Sequence, residues 1–203
     1  KEKEFWSGYF TAIKHAVNTL LWDENDHFYY DRDLKSGAFK KVKAVSSFLP
    51  LFAGICEPSQ AEYLVEYLRS SEYFGSRFPI PSVSMDDPSF GTDMWRGPVW
   101  INYNYMIALG LKDYGYKELA EDILNKTIRM VAFWYAHDGS VYEFYDSTGT
   151  KSSRRLNRKG SPIEPNDFHI RMQCIRDYGW SCSLMPEIIL EESRLRGEHA
   201  KIE

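Results

Sequence analysis

At 203 residues, with a formal net charge of −4, the chain has the size of one ordinary domain and lacks the basic surplus that a nucleic-acid footprint needs. No apolar run is long enough to span a membrane. Aromatic content is 16%, with 6 Trp and 14 Tyr, which serves core packing and sugar stacking alike. Cys56, Cys174 and Cys182 are odd in number and far apart, so they read as core or free thiols rather than a zinc site or disulfide framework. The chain opens Lys-Glu-Lys-Glu-Phe without a Met and without a signal peptide, and it reads as a piece of something longer. Its location is open: soluble, and cytoplasmic if no leader has been removed.

The first element is an amphipathic helix from Phe5 to Leu21, where Phe5, Tyr9, Ile13, Val17 and Leu20 recur at helical spacing. Trp22 to Asp31 then places a polar Asp-Glu-Asn-Asp turn before aromatics, with a second turn at Ser36-Gly37, the pattern of a short hairpin. The acidic turn lacks the ligand spacing of a calcium loop and reads as solvated. Ser46-Ser47 opens a helix over 48–56 that is apolar on all faces, with Pro50 in its first turn. Glu57-Pro58-Ser59 breaks it, and Gln60 to Arg69 is amphipathic, with Tyr63, Leu64, Tyr67 and Leu68 inward. Phe74 to Phe90 is a long Pro-, Gly- and Ser-rich loop.

That loop leads into Trp95-Arg96-Gly97-Pro98-Val99-Trp100 and a helix over 98–111, with Pro98 at its first position. This helix is apolar all round, the pattern of a buried one, yet it carries Asn102 and Asn104 and follows Arg96. Buried amides need partners, so it either anchors a polar network or opens onto a polar ligand. An amphipathic helix from Lys117 to Tyr135 and a turn at 137–140 precede Tyr142-Glu143-Phe144-Tyr145-Asp146. Residues 147–177 are polar, with a basic run of Arg154, Arg155, Arg158 and Lys159 that reads as a solvated loop. The last helix runs from about Gly179 to Arg196, buried over 180–190.

Buried helices (48–56, 98–111, 180–190) thus alternate with amphipathic ones (5–21, 60–69, 117–135), as a ring of helical hairpins requires. No sequence repeat accompanies the alternation. The predicted class is all-α, with three hairpins in one domain over 1–203 and the loops 74–97 and 138–179 at one end.

A carboxylate flanked by Tyr142 and Phe144 is partly desolvated, which suits Glu143 to general acid/base work; the plainer alternative is a surface Glu whose neighbours face inward. The five His residues, His15, His27, His137, His169 and His199, are scattered. Their spacing supports neither a nucleophilic triad nor a metal site, and no cofactor is implied.

Trp95-Arg96-Gly97-Pro98-Val99-Trp100-Ile101-Asn102-x-Asn104-Tyr105 resembles the C-terminal half of the (α/α)6-barrel glycosidases, the relatives of trehalase, processing α-glucosidase and mannosylglycerate hydrolase. Tyr142-Glu143-x-Tyr145-Asp146-x-Thr148-Gly149 and Tyr178-Gly179-Trp180-Ser181 follow in that group's order, and Leu21-Trp22-Asp23 and Phe48-Leu49-Pro50-Leu51 fit it. The resemblance implies about half of a six-hairpin toroid and inverting hydrolysis of an α-glycosidic bond in an oligosaccharide or small α-glucoside. It implies that Glu143 is the general base and that Arg96 and the Gly97 backbone hold sugar hydroxyls. Trp95, Trp100 and Trp180, with Asn104, would complete the substrate-binding set. The family's general acid is an Asp farther upstream of the base than this chain reaches, so no acid is assigned; Asp87 and Asp93 do not match its motif. A missing N-terminal half, or a second copy, is the implied partner, because half a ring leaves the flank of helices 48–56 and 98–111 bare. Two other functions fit parts of the pattern: a carbohydrate-binding remnant without hydrolysis, and a sugar epimerase or lyase of toroidal fold.

Overall fold

The computed structural model describes residues 1–158 and 174–199, with side chains to 197. Among these, six α-helices carry the fold: α1 (Glu2–Leu20), α2 (Leu49–Phe52), α3 (Pro58–Arg69), α4 (Ile101–Asp113), α5 (Lys117–Asp138) and α6 (Gly179–His199). Helices α2, α4 and α6 lie in a row with α4 touching both neighbours, and α5 covers α4 and α6. The all-α reading therefore holds, and the inner-and-outer alternation holds for α4 beneath α5 but not for α6 or α1. The bases of the row are close: a Cβ on Gly110 of α4 would come within 2.5 Å of the Phe52 nitrogen in α2, so only glycine fits.

Two short hairpins join α1 to α2. Strands β1 (Trp22–Asp23) and β2 (Phe28–Tyr29) pair antiparallel, as do β3 (Asp31–Arg32) and β4 (Phe39–Lys40). The acidic turn is built by its own side chains. Asp23 Oδ1 accepts from the Asn25 and Asp26 amides at 3.0 and 2.9 Å, and Lys41 Nζ reaches Asp23 and Asp26 at 2.8 and 2.7 Å. Hydrogen bonding from Lys41 and those amides holds the Asp23 carboxyl below its usual range.

Several boundaries differ from the sequence reading, each for a local reason. Pro98 does not start α4. Residues 98–99 are extended because Val99 exchanges backbone hydrogen bonds with Tyr145, at 2.7 and 3.0 Å, and the Pro98 carbonyl accepts from Ser82; the helix begins at Ile101, after Trp100. The 48–56 helix is only α2, entered through a 3₁₀ turn at Val45–Phe48 and stopped by Gly54 at φ +67°. Pro58 is not a breaker but the first residue of α3, where its missing N–H costs nothing, and Gln60 Oε1 accepts from the Glu57 amide. The loop 74–90 carries core residues, Phe74, Phe78, Ile80 and Val83 among them.

Two faces are barer than the pattern suggests. Helix α6 is not buried over 180–190, where Trp180, Ile189 and Leu190 are exposed; Glu191 and Glu192 are buried instead, and Glu191 pairs with Lys112 and Arg194. Helix α1 buries no residue. Its apolar stripe of Phe5, Trp6, Tyr9, Phe10, Ile13 and Leu20 is about half exposed at every position, so the bare flank lies chiefly on α1 rather than on helices 48–56 and 98–111. Only its last turns are tied down: the Asn18 amide donates to the Ile55 carbonyl and accepts from the Tyr29 hydroxyl, both at 2.8 Å. No helix among the described residues is long and apolar enough to cross a membrane.

Candidate active site

The loops that enter α4 and α6 are woven together. In the first, the Arg96 amide donates to the Asp93 carbonyl and the Gly91 amide donates to the Arg96 carbonyl, closing a tight turn. Gly97 leaves that turn at φ +122°, and a Cβ there would collide with the Gly91 carbonyl, so no other residue fits. Its amide donates to Ser82 Oγ at 3.0 Å and is buried, so Gly97 builds the turn instead of offering that donor to a sugar. The turn stacks Trp95 flat on Trp100, with ring centroids 3.9 Å apart and planes within 1°. Trp100 is the buried wall: its indole N–H donates to the Met94 carbonyl at 2.8 Å and its far side meets Phe144 at 5.2 Å. Trp95 is 44% exposed and offers the free aromatic surface, while the Arg96 side chain is on the exterior of the turn.

The second loop positions Glu143. Beyond the Val99–Tyr145 exchange, the Phe144 carbonyl accepts from Ser153 Oγ at 2.8 Å and Cys174 Sγ at 3.3 Å, and the Glu143 amide donates to the Ile175 carbonyl at 3.0 Å. The carboxylate is 2% exposed, which is the desolvated alternative rather than the surface one. It accepts from Arg158 Nε at 3.0 and 3.4 Å and from the Ile175 amide at 3.4 Å. Arg158 is delivered by its neighbour: the Asn157 amide group donates to Asp93 Oδ1 at 3.0 Å, and its carbonyl accepts from the Met94 amide at 2.8 Å. One crosslink thus joins the turn that carries Trp95 to the charge partner of Glu143. Burial, with some help from the Glu143 charge, pushes the adjacent Cys174 thiol up to about 12, so it stays neutral and unreactive.

Sequence reasoning missed Arg158. The basic run reads as a solvated loop, which describes the exposed Arg154 and Arg155 but not Arg158. Lys159 and His169 lie outside the described residues, as do the side chains beyond 197, His199 included.

Trp180 stands in the first turn of α6, 59% exposed, with its ring 5.8 Å from Tyr178. Burial and then the Glu143 charge raise the Tyr178 phenol, and the Tyr178 amide donates to the Val141 carbonyl at 3.2 Å, which ties the entry of α6 to the segment that carries Glu143. Trp180 walls a groove of about 330 Å³ between α4 and α6, opposite Asn102, Tyr105 and Met106. Trp95, Trp100 and Glu143 therefore share one neighbourhood, with Trp180 reached through Tyr178.

Asn104 does not belong to it. It is fully buried, and its amide donates to the Pro79 carbonyl at 2.7 Å and Thr127 Oγ1 at 2.8 Å while accepting from the Ile80 amide at 3.0 Å. Both N–H donors and the amide oxygen are engaged, and the side chain is fully buried, so it anchors the 79–80 segment to α4 and α5 rather than facing a substrate. Asn104→Ala is expected to strand the Pro79 carbonyl and the Ile80 amide, since Thr127 Oγ1 keeps its bond to the Ile123 carbonyl, and to cost about 3 kcal/mol, read as a lower denaturant midpoint with unchanged slope. Among the described residues no group of three His, Cys, Asp or Glu is placed to hold a metal ion.

Comparison with known proteins bears on this arrangement. The mannosylglycerate hydrolase MGH1-like glycoside hydrolase domain matches residues 1–181. Mannosylglycerate hydrolase of Thermus thermophilus is 43% identical over 103 residues, 49% of this chain and 24% of that protein. Cytosolic neutral trehalase of Kluyveromyces lactis is 29% identical over 160 residues, 75% of this chain and 21% of that protein. The crystal structure of a Thermus thermophilus GH63 mannosylglycerate hydrolase with Tris and D-glycerate aligns with a TM-score of 0.61 at 32% identity, covering 82% of this chain and 34% of that one. The chain thus spans about a fifth to a third of the length of these relatives.

Proposed function

The chain belongs to the mannosylglycerate hydrolase MGH1-like glycoside hydrolase family, and from that premise we propose that it supplies the water-activating side of an inverting, exo-acting α-glycosidase. Inversion needs two carboxyl groups on opposite sides of the glycosidic bond, one protonating the leaving oxygen and one taking a proton from water. Glu143 is our base. The observation that carries the reading is its setting: a carboxylate withdrawn from solvent, with Arg158 at 3.0 Å, behind a stacked tryptophan pair. The guanidinium and the Ile175 amide fix the carboxylate's orientation, and positioning of this kind is a large part of what an active site contributes.

The non-reducing sugar would lie on the free face of Trp95, with Arg96 donating to its hydroxyls and Trp180 closing the far side. The acid, and the remaining walls of the pocket, come from the rest of the toroid. The substrate is a small α-glycoside, either a glucoside or the mannosylglycerate for which the relatives are named.

The test is an exchange. Residues 1–181 replace the matching segment of the Thermus thermophilus mannosylglycerate hydrolase, and release of mannose from mannosylglycerate is followed. The chimaera is expected to turn over within about 10²-fold of its parent, the loss that slight misplacement of a site costs. A folded chimaera with no turnover would overturn the proposal.

A further inference from the structure

We propose a second saccharide-binding site in this chain, in the cleft between the first hairpin turn and the C-terminal half of α3, for a neutral di- or trisaccharide. The cleft measures about 440 Å³, within the range of small-ligand pockets, and shares no lining residue with the Glu143 neighbourhood. Its walls are aromatic. His27 adopts φ +50°, an uncommon conformation for a residue with a side chain, and lies flat on Tyr63 with centroids 3.8 Å apart and planes within 6°. Tyr67 and Tyr73 continue the wall, 4.9 Å apart. The geometry is set before any ligand arrives. Asp23 and Lys41 fix the hairpin turn, and the Tyr67 hydroxyl donates to the Asp26 carbonyl at 2.7 Å.

The polar edge of the cleft is available. The Glu66 carboxylate and the Asn25 side-chain amide line it and make no hydrogen bond or ion pair among the described residues. Asp26, the other carboxylate, is matched by Lys41. Flat apolar faces edged by an unmatched carboxylate and an amide complement a pyranose, which offers a C–H face to the rings and adjacent hydroxyls to the polar groups. The local charges argue against an anion. Glu66 is unmatched there, while Lys41 is taken up by Asp23 and Asp26 and Lys43 by Asp86, so the edge carries a surplus negative charge.

Titration of the full chain with maltotriose, followed by calorimetry and by the NMR signals of the His27 imidazole and Asn25 amide, tests the site. Saturable millimolar binding that moves both signals is expected. Glu66→Ala removes a charged acceptor from the solvent-facing side of α3, and it should weaken that binding roughly tenfold without unfolding the chain. Tyr63→Ala should abolish it. Three results would each overturn the proposal: no binding by the folded chain, sugar-induced shifts confined to the Trp180 groove, or His27 shifts produced by tetramethylammonium and not by the sugar. Activity of the Glu143 site bears on none of them.

Discussion

Incubated alone with trehalose or mannosylglycerate, the chain is expected to release no sugar above the uncatalysed rate and to migrate as a dimer or larger species. Both outcomes follow from what these residues lack. On the proposed mechanism Glu143 takes a proton from water, but no group here matches the acid that would give one to the leaving oxygen, and general acid catalysis is worth about 10²–10⁴-fold. Association has a different cause. Helix α1 carries six large apolar side chains, each at least 47% exposed, along a 19-residue helix that buries nothing. Continuous apolar patches larger than a few hundred Å² are seldom left open on soluble monomers. The rest of the toroid would cover this one in a complete enzyme, and a second copy would cover it otherwise. Replacing Trp6 and Phe10 by Glu and Lys should shift the chain toward monomer without altering the distant Glu143 neighbourhood, measured by light scattering. A stable wild-type monomer would refute the edge argument. Turnover by the chain alone, abolished in Glu143→Gln, would show that the acid is within these 203 residues.

Part of this account was legible in the sequence because it depends on local periodicity. Helix α5 spans Lys117–Asp138, near the boundaries its apolar spacing predicts, and ends at Gly139 in the left-handed conformation. The aromatic burial around Glu143 likewise follows from its immediate neighbours. What was not legible depends on partners far along the chain. Nothing within the motif indicates that Val99 is claimed by Tyr145 and therefore delays α4 by three residues after Pro98. Arg158 reaches Glu143 because Asn157 bonds Asp93, 64 positions earlier, and no spacing rule connects these two loops. Asn104 was ambiguous for the same reason: a buried amide signals a network or a ligand equally well until the Pro79 and Ile80 backbone appears beside it. Helix α6 misled in the opposite direction. Its apolar residues suggested burial, yet Ile189 and Leu190 are exposed while Glu191 is buried against Lys112, a pairing that composition conceals. Membership of a glycoside hydrolase family removes the epimerase and lyase alternatives.

Glu143→Gln in the chimaera is the most direct test of the central claim. The substitution keeps the shape of the side chain and its contact with Arg158 but removes the basic oxygen, so only the capacity to accept a proton from water is lost. Circular dichroism would establish that the variant folds, since an unmatched Arg158 carries its own cost. The account predicts that kcat falls by about 10²–10⁴-fold while KM changes by no more than a few fold, because the group acts in the transition state and does not hold the sugar. A folded Glu143→Gln chimaera that retains kcat within about threefold of its parent would contradict it, since an interaction made in the transition state cannot be removed without lowering kcat.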